Sequence, residues 1–347
     1  MTETTTPAHP LDGKGVLVTG GTGSFGNAFV RNALTKARPS RLVIFSRDEQ
    51  KQVEMAMWMS PDQFPQLRYF IGDVRDRARL DRAMAGIDCV IHAAAIKHVP
   101  VAEYNPIEAI KTNVIGAENV INAAIDNGVG KVIALSTDKA ANPVNLYGAT
   151  KLCADKLFIA ANNLAGTAET RLSVVRYGNV IGSRGSVIPF FERMVAEKVE
   201  SLPITDPRMT RFWITLDQGV EFVNRCLANM QGGELFVPKI PSMKLTEMVE
   251  AIAPGYRTRT VGIRPGEKLH EIMITKDDAI NTVEFDDLFI IKSTGVIKLK
   301  GATYTIDGEA GRPVSEDFEY RSDNNTEWLG AGDLRALLAK RDRGPMT

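Results

Sequence analysis

A short apolar run, Gly15 to Thr19, leads without a spacer into Gly20-Gly21-Thr22-Gly23-Ser24-Phe25-Gly26 and then into a stretch of helical spacing. Glycines at 20, 23 and 26 let a tight turn close, and let a pyrophosphate approach backbone amides at a helix N-terminus. A glycine-rich loop alone is often only a turn. Here it heads a series: β-rich runs recur at Arg41 to Phe45, Leu67 to Ile71, Cys89 to His92, Lys131 to Leu135 and Leu172 to Val175. Between them, Arg77 to Ala85 and Ile107 to Asn127 carry apolar residues at helical spacing. Such alternation predicts βαβ units and an α/β fold, a doubly wound parallel sheet with helices on both faces.

After about residue 178 the rhythm changes. Pro, Gly and Arg become frequent, and PITDPRMTRFW and GIRPGEK read as loops carrying convergent charge. The expected organisation is a dinucleotide-binding domain over 11–178, a smaller substrate lobe over 179–292, and a C-terminal extension over 293–347 with no functional reading. Thr215 to Met230 reads as a helix returning to the first domain, within a segment of about 210–235. The chain has 347 residues with 42 basic and 42 acidic side chains, so no broad field exists to hold a nucleic acid polymer or an anionic membrane. Cys89, Cys153 and Cys226 are far apart among apolar neighbours, the usage of reduced thiols. No apolar run approaches the roughly 18 residues of a spanning helix, so the expectation is a soluble, cytoplasmic protein.

The second strand is followed by Ser46-Arg47-Asp48, with Lys51 one turn on. A hydroxyl and a guanidinium at that strand end suit a 2′-phosphate, whereas a carboxylate would suit free ribose hydroxyls, so NADP is the expected cofactor. The alternative is a solvated helix start with local ion pairs. Asp73 and Val74, after the third strand, are placed to meet the adenine ring. Ala93, after the fourth, gives the cofactor a small-residue floor, and Lys97 lies where it can touch cofactor and substrate.

Catalytic chemistry concentrates in Ser136-Thr137-Asp138-Lys139 and Tyr147-Gly148-Ala149-Thr150-Lys151. A tyrosine and a lysine four apart share a helix face; the ammonium favours the phenolate, a base for a hydroxyl proton as hydride leaves its carbon. Lys151 can also hold the nicotinamide ribose, and Thr137 the reacting oxygen. Asp138 and Lys139 add an acid and, if its pKa is lowered, a base for a carbon proton beside a transient ketone. That points to elimination. Adjacent Asp and Lys are also often just an ion pair.

TGGTGSFG, SRDE, AAIKHVP, STDKAANPVNLYGATK, VRYGNVIGSRGSVIP, TDPRMTRFW and RPGEKLHE together resemble, in order, the inverting UDP-N-acetylglucosamine 4,6-dehydratases, a group of extended short-chain dehydrogenases/reductases with a Rossmann domain. The resemblance covers roughly residues 11–292. It implies a lyase for bacterial surface sugars, of the pseudaminic acid or capsule type. It also implies tightly held NADP recycled in each turnover, a UDP-sugar substrate, and a homo-oligomer, either a dimer or a larger assembly of dimers. By the same resemblance Tyr147 is the C4 hydroxyl base, Lys139 removes the C5 proton, and Asp138 assists departure of the C6 hydroxyl. The substrate ligands would be Lys97, Asn179, Arg184, Arg208, Arg211, Arg264 and Glu267, with Arg211 and Arg264 on the diphosphate and Lys268 nearby. His92, His98 and His270 read as structural, and no metal-binding spacing is present. A retaining dehydratase, a nucleotide-sugar 4-epimerase or a non-catalytic NADP-binding relative are the alternatives.

Overall fold

The computed structural model describes residues 9–166, 169–183, 185–296 and 303–340. Its central sheet begins with six parallel strands: β1 Gly15–Thr19, β2 Arg41–Ser46, β3 Leu67–Ile71, β4 Cys89–His92, β5 Lys131–Thr137 and β6 Arg171–Tyr177. The spatial order is β3-β2-β1-β4-β5-β6, so the winding reverses between β1 and β4. Loops at the carboxyl ends of those two strands diverge and leave a crevice, the usual ligand position in such sheets. All five residues of β1 are buried, as a strand covered on both faces requires.

The helices over the faces are α1 Ser24–Lys36, α2 Glu49–Ala56, α3 Arg77–Met84, α4 Val99–Tyr104, α5 Pro106–Ile110, α6 Gly116–Asp126 and α7 Leu146–Leu164. The long helix expected over 107–127 is divided: Lys111–Ile115 forms a π-turn between α5 and α6. Asn113 in that turn exchanges hydrogen bonds with the backbone of Ile96, at 2.8 Å to its N–H and 2.9 Å to its carbonyl. The side chain thereby ties the loop after β4 to the helix layer.

The sheet does not stop at residue 178. Leu235–Pro238 joins β6 in parallel, followed by antiparallel Leu288–Ile291, Thr282–Glu284 and the edge strand Arg312–Pro313. The helix expected to return is Leu216–Asn229, N-capped by Thr215 in a reciprocal capping box with Gln218. It lies on α1, linked by Lys36 to Glu221 at 2.6 Å and Asn224 to Asn32 at 3.1 Å.

A second core belongs to the substrate side. Ile188, Phe191, Trp213, Met243, Met248 and Leu334 pack together beneath the three-stranded sheet of Asn179–Val180, Thr210–Ile214 and Ser242–Lys244. Each fully buried side chain of this size contributes roughly 1.5–3 kcal/mol of transfer free energy. The C-terminal extension serves both cores: Tyr304, Ile306 and Tyr320 pack in that of the central sheet, and its final helix in this one. Leu334 on helix Ala331–Ala339 enters the core, and Tyr320–Arg321 pairs with Ile272–Ile274. All three cysteines are free; Cys89 and Cys226 are buried, whereas Cys153 is exposed on α7. Among the described residues, no helix is long and apolar enough to cross a membrane.

Candidate active site

A cleft of about 1120 Å³ runs along the carboxyl ends of the strands, between the sheet and the second lobe. It exceeds the ~300–1000 Å³ typical of a single small-molecule site. One half is built by the glycine turn. Gly20 has φ of +66°, and a Cβ there would lie 2.9 Å from the backbone of Ala94; a Cβ on Gly26 would lie 2.5 Å from that of Gly21. Only glycine permits both the turn and the close packing of α1 upon it. Gly23 is the N-cap of α1 and makes no side-chain cap, so the first turn presents its dipole and amides toward the cleft that Gly20, Thr22, Gly23, Ser24, Phe25 and Gly26 line. That cradle fits a dinucleotide diphosphate.

Ser46, Arg47, Lys51, Asp73, Val74, Ala93 and Lys97 line the same half. The two cations also have local carboxylates: Arg47 is 3.6 Å from Asp73 and Lys51 is 2.6 Å from Asp48. Ser46 is buried and its hydroxyl accepts from Gln52 Nε2 at 3.0 Å. Burial works against ionisation of Asp73, but hydrogen bonds from Arg75 and the charges of Arg75 and Arg47 hold its carboxyl below the usual range.

The other half is set by the junction of β5 and α7. Thr137 ends β5, Asp138–Ala140 forms one tight helical turn, and Asn145 caps α7 by accepting from the Gly148 N–H at 2.7 Å. Asn145 Nδ2 also donates to the Gly266 carbonyl at 2.8 Å, tying this cap to the loop of the second lobe. A Cβ on Gly148 would stand 2.2 Å from the Lys139 carbonyl oxygen. The glycine is therefore what lets the turn bearing Lys139 rest on the turn bearing Tyr147. One turn beyond Lys151, Asp155 accepts from Ser136 Oγ at 2.7 Å and pairs with Arg176 at 3.3 Å, which locks α7 to β5 and β6. Arg176 donates in turn to the Met273 carbonyl, in strand Ile272–Ile274, at 2.8 Å.

Thr137, Lys139, Tyr147 and Lys151 line the cleft together. Burial pushes the Tyr147 phenol up to about 12; the neighbours that favour its anion are Lys139 first and then a hydrogen bond with Thr137. Burial lowers the Lys151 ammonium, with Asp155 opposing. The pull on the phenol was expected from Lys151, and it comes foremost from Lys139.

Two further expectations are corrected. A lowered pKa was the condition for Lys139 to act as a base; burial by itself would lower it, but Asp138 and Glu271 outweigh burial and hold the side chain as an ammonium, with the pKa raised. Its Nζ lies 3.1 Å from Asp138 Oδ1 and 3.2 Å from Glu271 Oε1. Asp138 is fully buried and is not part of the cleft wall; Oδ1 accepts from Thr137 Oγ1 at 2.9 Å and from Lys139, and Oδ2 has no hydrogen-bond partner. Burial raises its pKa, and Glu271 adds to the effect.

On the substrate side, Lys97, Asn179, Arg211, Arg264, Glu267 and Lys268 line the cleft. Arg211 is not a free donor. Its terminal nitrogens donate to the carbonyls of Thr210, Leu269 and Lys268 and to Met209 Sδ, and its Nε faces Glu271 at 3.6 Å. It clamps the loop instead of waiting for a diphosphate. Arg264, 60% exposed and 3.8 Å from Glu267, keeps that possibility. Arg208 is turned to solvent on Asp206 and does not line the cleft. Arg184 lies outside the described residues. His98 lines the cleft, which its structural reading did not anticipate. His92 is buried, paired with Thr19 Oγ1 at 2.8 Å and packed on Phe158, and His270 pairs with Thr210 Oγ1 at 2.8 Å. Among the described residues, no group of three potential ligands is arranged to hold a metal.

Sequence reasoning missed Glu271. It closes the RPGEKLHE motif, where attention fell on Glu267, and its signal is a lone carboxylate opening the buried strand Ile272–Ile274. Thr112 was also missed; it lines the cleft from the π-turn, and its buried hydroxyl has no hydrogen-bond partner. Nothing in the sequence marks a π-turn.

A model of the family described as polysaccharide biosynthesis protein matches residues 16–293. The chain is 55% identical over 330 residues to the inverting UDP-N-acetylglucosamine 4,6-dehydratase of Campylobacter jejuni subsp. jejuni serotype O:23/36 (strain 81-176), covering 94% of this chain and 98% of the relative. It is 40% identical to a UDP-glucose 4-epimerase of Rickettsia akari, covering 95% of this chain and 96% of that one. Among solved structures, Pen from Bacillus thuringiensis superposes with a TM-score of 0.85 at 37% identity, over 95% of this chain and 99% of Pen. DesIV, a dTDP-glucose 4,6-dehydratase from Streptomyces venezuelae solved with NAD bound, superposes with a TM-score of 0.65 at 25% identity, over 73% and 86%. The cradle, the β5–α7 junction and these likenesses agree: the chain belongs to the polysaccharide biosynthesis protein family of extended short-chain dehydrogenases/reductases, in its branch of hydro-lyases, the inverting UDP-N-acetylglucosamine 4,6-dehydratases.

Proposed function

We propose that the protein removes water from UDP-N-acetylglucosamine across C5 and C6, with inversion at C5, and holds NADP tightly through each turnover. The observation that carries this reading is the convergence of Thr137, Lys139, Tyr147 and Lys151 on one cleft wall opposite the glycine cradle. The chemistry that bound NADP+ supplies is a hydride store, filled from C4 and emptied to C6. The glycine turn would hold its diphosphate, Asp73 and Val74 its adenine end, and Ser46, Arg47 and Lys51 its 2′-phosphate, for which their local carboxylates compete.

Tyr147 takes the C4 hydroxyl proton while Thr137 holds the oxygen and Lys151 holds the cofactor ribose. The resulting C4 ketone acidifies C5–H, and Lys139 removes that proton. Asp138 supplies the proton for the departing C6 hydroxyl from behind the wall, and the cleft-lining hydroxyl in contact with it is Thr137. Arg264, Lys268, Lys97 and Asn179 receive the UDP end. The setting would be cytoplasmic synthesis of a bacterial surface sugar, by a homo-oligomer.

A 4-epimerase is the second reading, favoured by the Rickettsia relative. Tyr147 and Lys151 serve it equally well, but Lys139 and its two carboxylates have no task in epimerisation. The test is NMR of the purified protein with UDP-N-acetylglucosamine in heavy water. A 4-keto-6-deoxy product with C5 deuterium and inverted C5 is the expected result. Retained C5 overturns the subtype, and C4 epimerisation without loss of water overturns the dehydratase.

A further inference from the structure

The geometry points to Glu271 as a positioning residue for elimination: its carboxylate, fixed by Arg211, holds Lys139 against Asp138 so that those two can exchange one proton. This rests on the dehydratase reading and deepens it.

Glu271 is delivered by the segment that opens strand Ile272–Ile274. Its N–H lies 2.9 Å from Ser322 Oγ, and its carbonyl accepts from the Ser322 N–H at 2.9 Å. The side chain is 3% exposed, and Oε1 reaches both Lys139 Nζ at 3.2 Å and Arg211 Nε at 3.6 Å. Arg211 is immobilised by backbone carbonyls, so the carboxylate is aimed from a rigid base. Glu271 Oε2 and Asp138 Oδ2 are both buried without hydrogen-bond partners. Leaving such oxygens unpaired is costly in a folded protein, and the arrangement has a reason if two carboxylates must share one ammonium.

The charged and titratable groups around Glu271 are Asp138 and Lys139 from the turn after β5, Arg211 from its strand and Lys268 from its own loop; Tyr147 on α7 faces Lys139. Although burial opposes it, Lys139, Arg211 and Lys268 hold Glu271 ionised, whereas burial and Glu271 raise Asp138. Neighbours that separate two carboxylates in this way assign their roles. Asp138 is the one that takes a proton, and Glu271 keeps its charge.

The exchange balances. A Lys139 N–H bond breaks and an Asp138 O–H bond forms across the 3.1 Å contact. The neutral amine then takes the C5 proton, the C–H electron pair becomes the C5–C6 double bond, and the C6–O bond breaks with its own pair. The departing oxygen takes a proton from the cleft-lining Thr137 hydroxyl, whose own proton is replaced by the one that Asp138 gives up across their 2.9 Å contact, and water leaves. The cycle ends on the ammonium and carboxylate pair seen in the structure.

The experiment compares holoenzyme and Glu271→Gln with UDP-N-acetylglucosamine in heavy water across pH. It follows reduced-nicotinamide absorbance for C4 oxidation and NMR for C5 deuterium. The glutamine variant should keep C4 oxidation, lose C5 exchange by about 10–100-fold, and move the alkaline limb of exchange to lower pH, because an ammonium that loses one carboxylate partner is easier to deprotonate. Glu271→Asp, which restores the charge, should return the limb toward that of the parent. A variant that exchanges C5 at the parental rate with an unmoved limb overturns the proposal, and so does a uniform loss of oxidation and exchange with the limb unmoved. If the parent enzyme itself forms no 4-keto product, the dehydratase reading fails, and the role given to Glu271 fails with it.

Discussion

Replacing Gly148 by alanine tests the β5–α7 junction most directly. On an open helix the change would stabilise by up to ~1 kcal/mol, because alanine is the better helix former. Here the new Cβ would lie 2.2 Å from the Lys139 carbonyl oxygen and 3.0 Å from its carbon. An ordinary C···O approach is about 3.3 Å, so one of the two turns must retreat by about 1 Å. Both are backbone, and neither can rotate out of the way. Overpacking of this kind costs ~1–3 kcal/mol, which offsets the helix gain and leaves a net loss of up to about 2 kcal/mol. The larger effect falls on catalysis, since the displaced turns carry Tyr147 and Lys139, and a 1 Å misplacement of reacting groups costs on the order of 100-fold. Single-turnover dehydration, with thermal unfolding measured in parallel, reads both effects. A Gly148→Ala enzyme that unfolds no earlier and turns over within about twofold of the parent would refute this account of the junction.

Lys139→Ala should retain cofactor binding, slow C4 oxidation because the Tyr147 phenol loses the cation that most favours its anion, and lose C5 proton exchange by ~100-fold or more, read by deuterium incorporation; retained exchange removes Lys139 from the role of base. Arg47→Ala should weaken NADP binding about tenfold or more and leave NAD binding unchanged, by fluorescence titration of both cofactors; equal losses would favour a purely local role for Arg47. Burial lowers the His92 pKa from 6.5 to about 3, with Lys151 adding to the effect. The unfolded chain therefore takes up this proton near pH 6.5 and the folded chain only near pH 3, so His92 makes stability fall as pH drops through that window. The slope is up to ~1.4 kcal/mol per pH unit, and urea unfolding of the parent and His92→Gln between pH 7 and 5 should show a shallower fall in the variant.

Much of this was legible because the relevant signals are local. The β1 run and its glycines carry their own geometry, and Gly20 and residues 22–26 line the cleft together. Strand ends were less legible. β5 and β6 run on through Ser136–Thr137 and Arg176–Tyr177, where polar side chains break the apolar pattern but the ladder continues. The long-range decisions were not legible. An arginine in a charged loop looks the same whether it awaits a ligand or is consumed by three carbonyls, and Arg211 is of the second kind. Lys139 was read as a base on the condition that its pKa is lowered, with a plain ion pair to Asp138 as the alternative, and its neighbours in the chain could not decide between them. The carboxylate that reverses the balance, Glu271, lies far along the sequence and meets it only through folding. The C-terminal extension was unreadable for the same reason, since its strands are two residues long and acquire meaning only from their partners.

The pairing of Ser322 with Glu271 also orders events in time. The ribosome finishes the sheet strands β1 to β6 and the whole β5–α7 junction long before the segment that anchors Glu271. Ser322 follows Glu271 by about 50 residues, on the order of 3–10 s of synthesis. A nascent chain thus acquires the glycine cradle first and the anchored carboxylate only later. Until Ser322 emerges, the residue that opens strand Ile272–Ile274 lacks this anchor, whereas the other carboxylate partner of Lys139, Asp138, is its neighbour in the chain from the start.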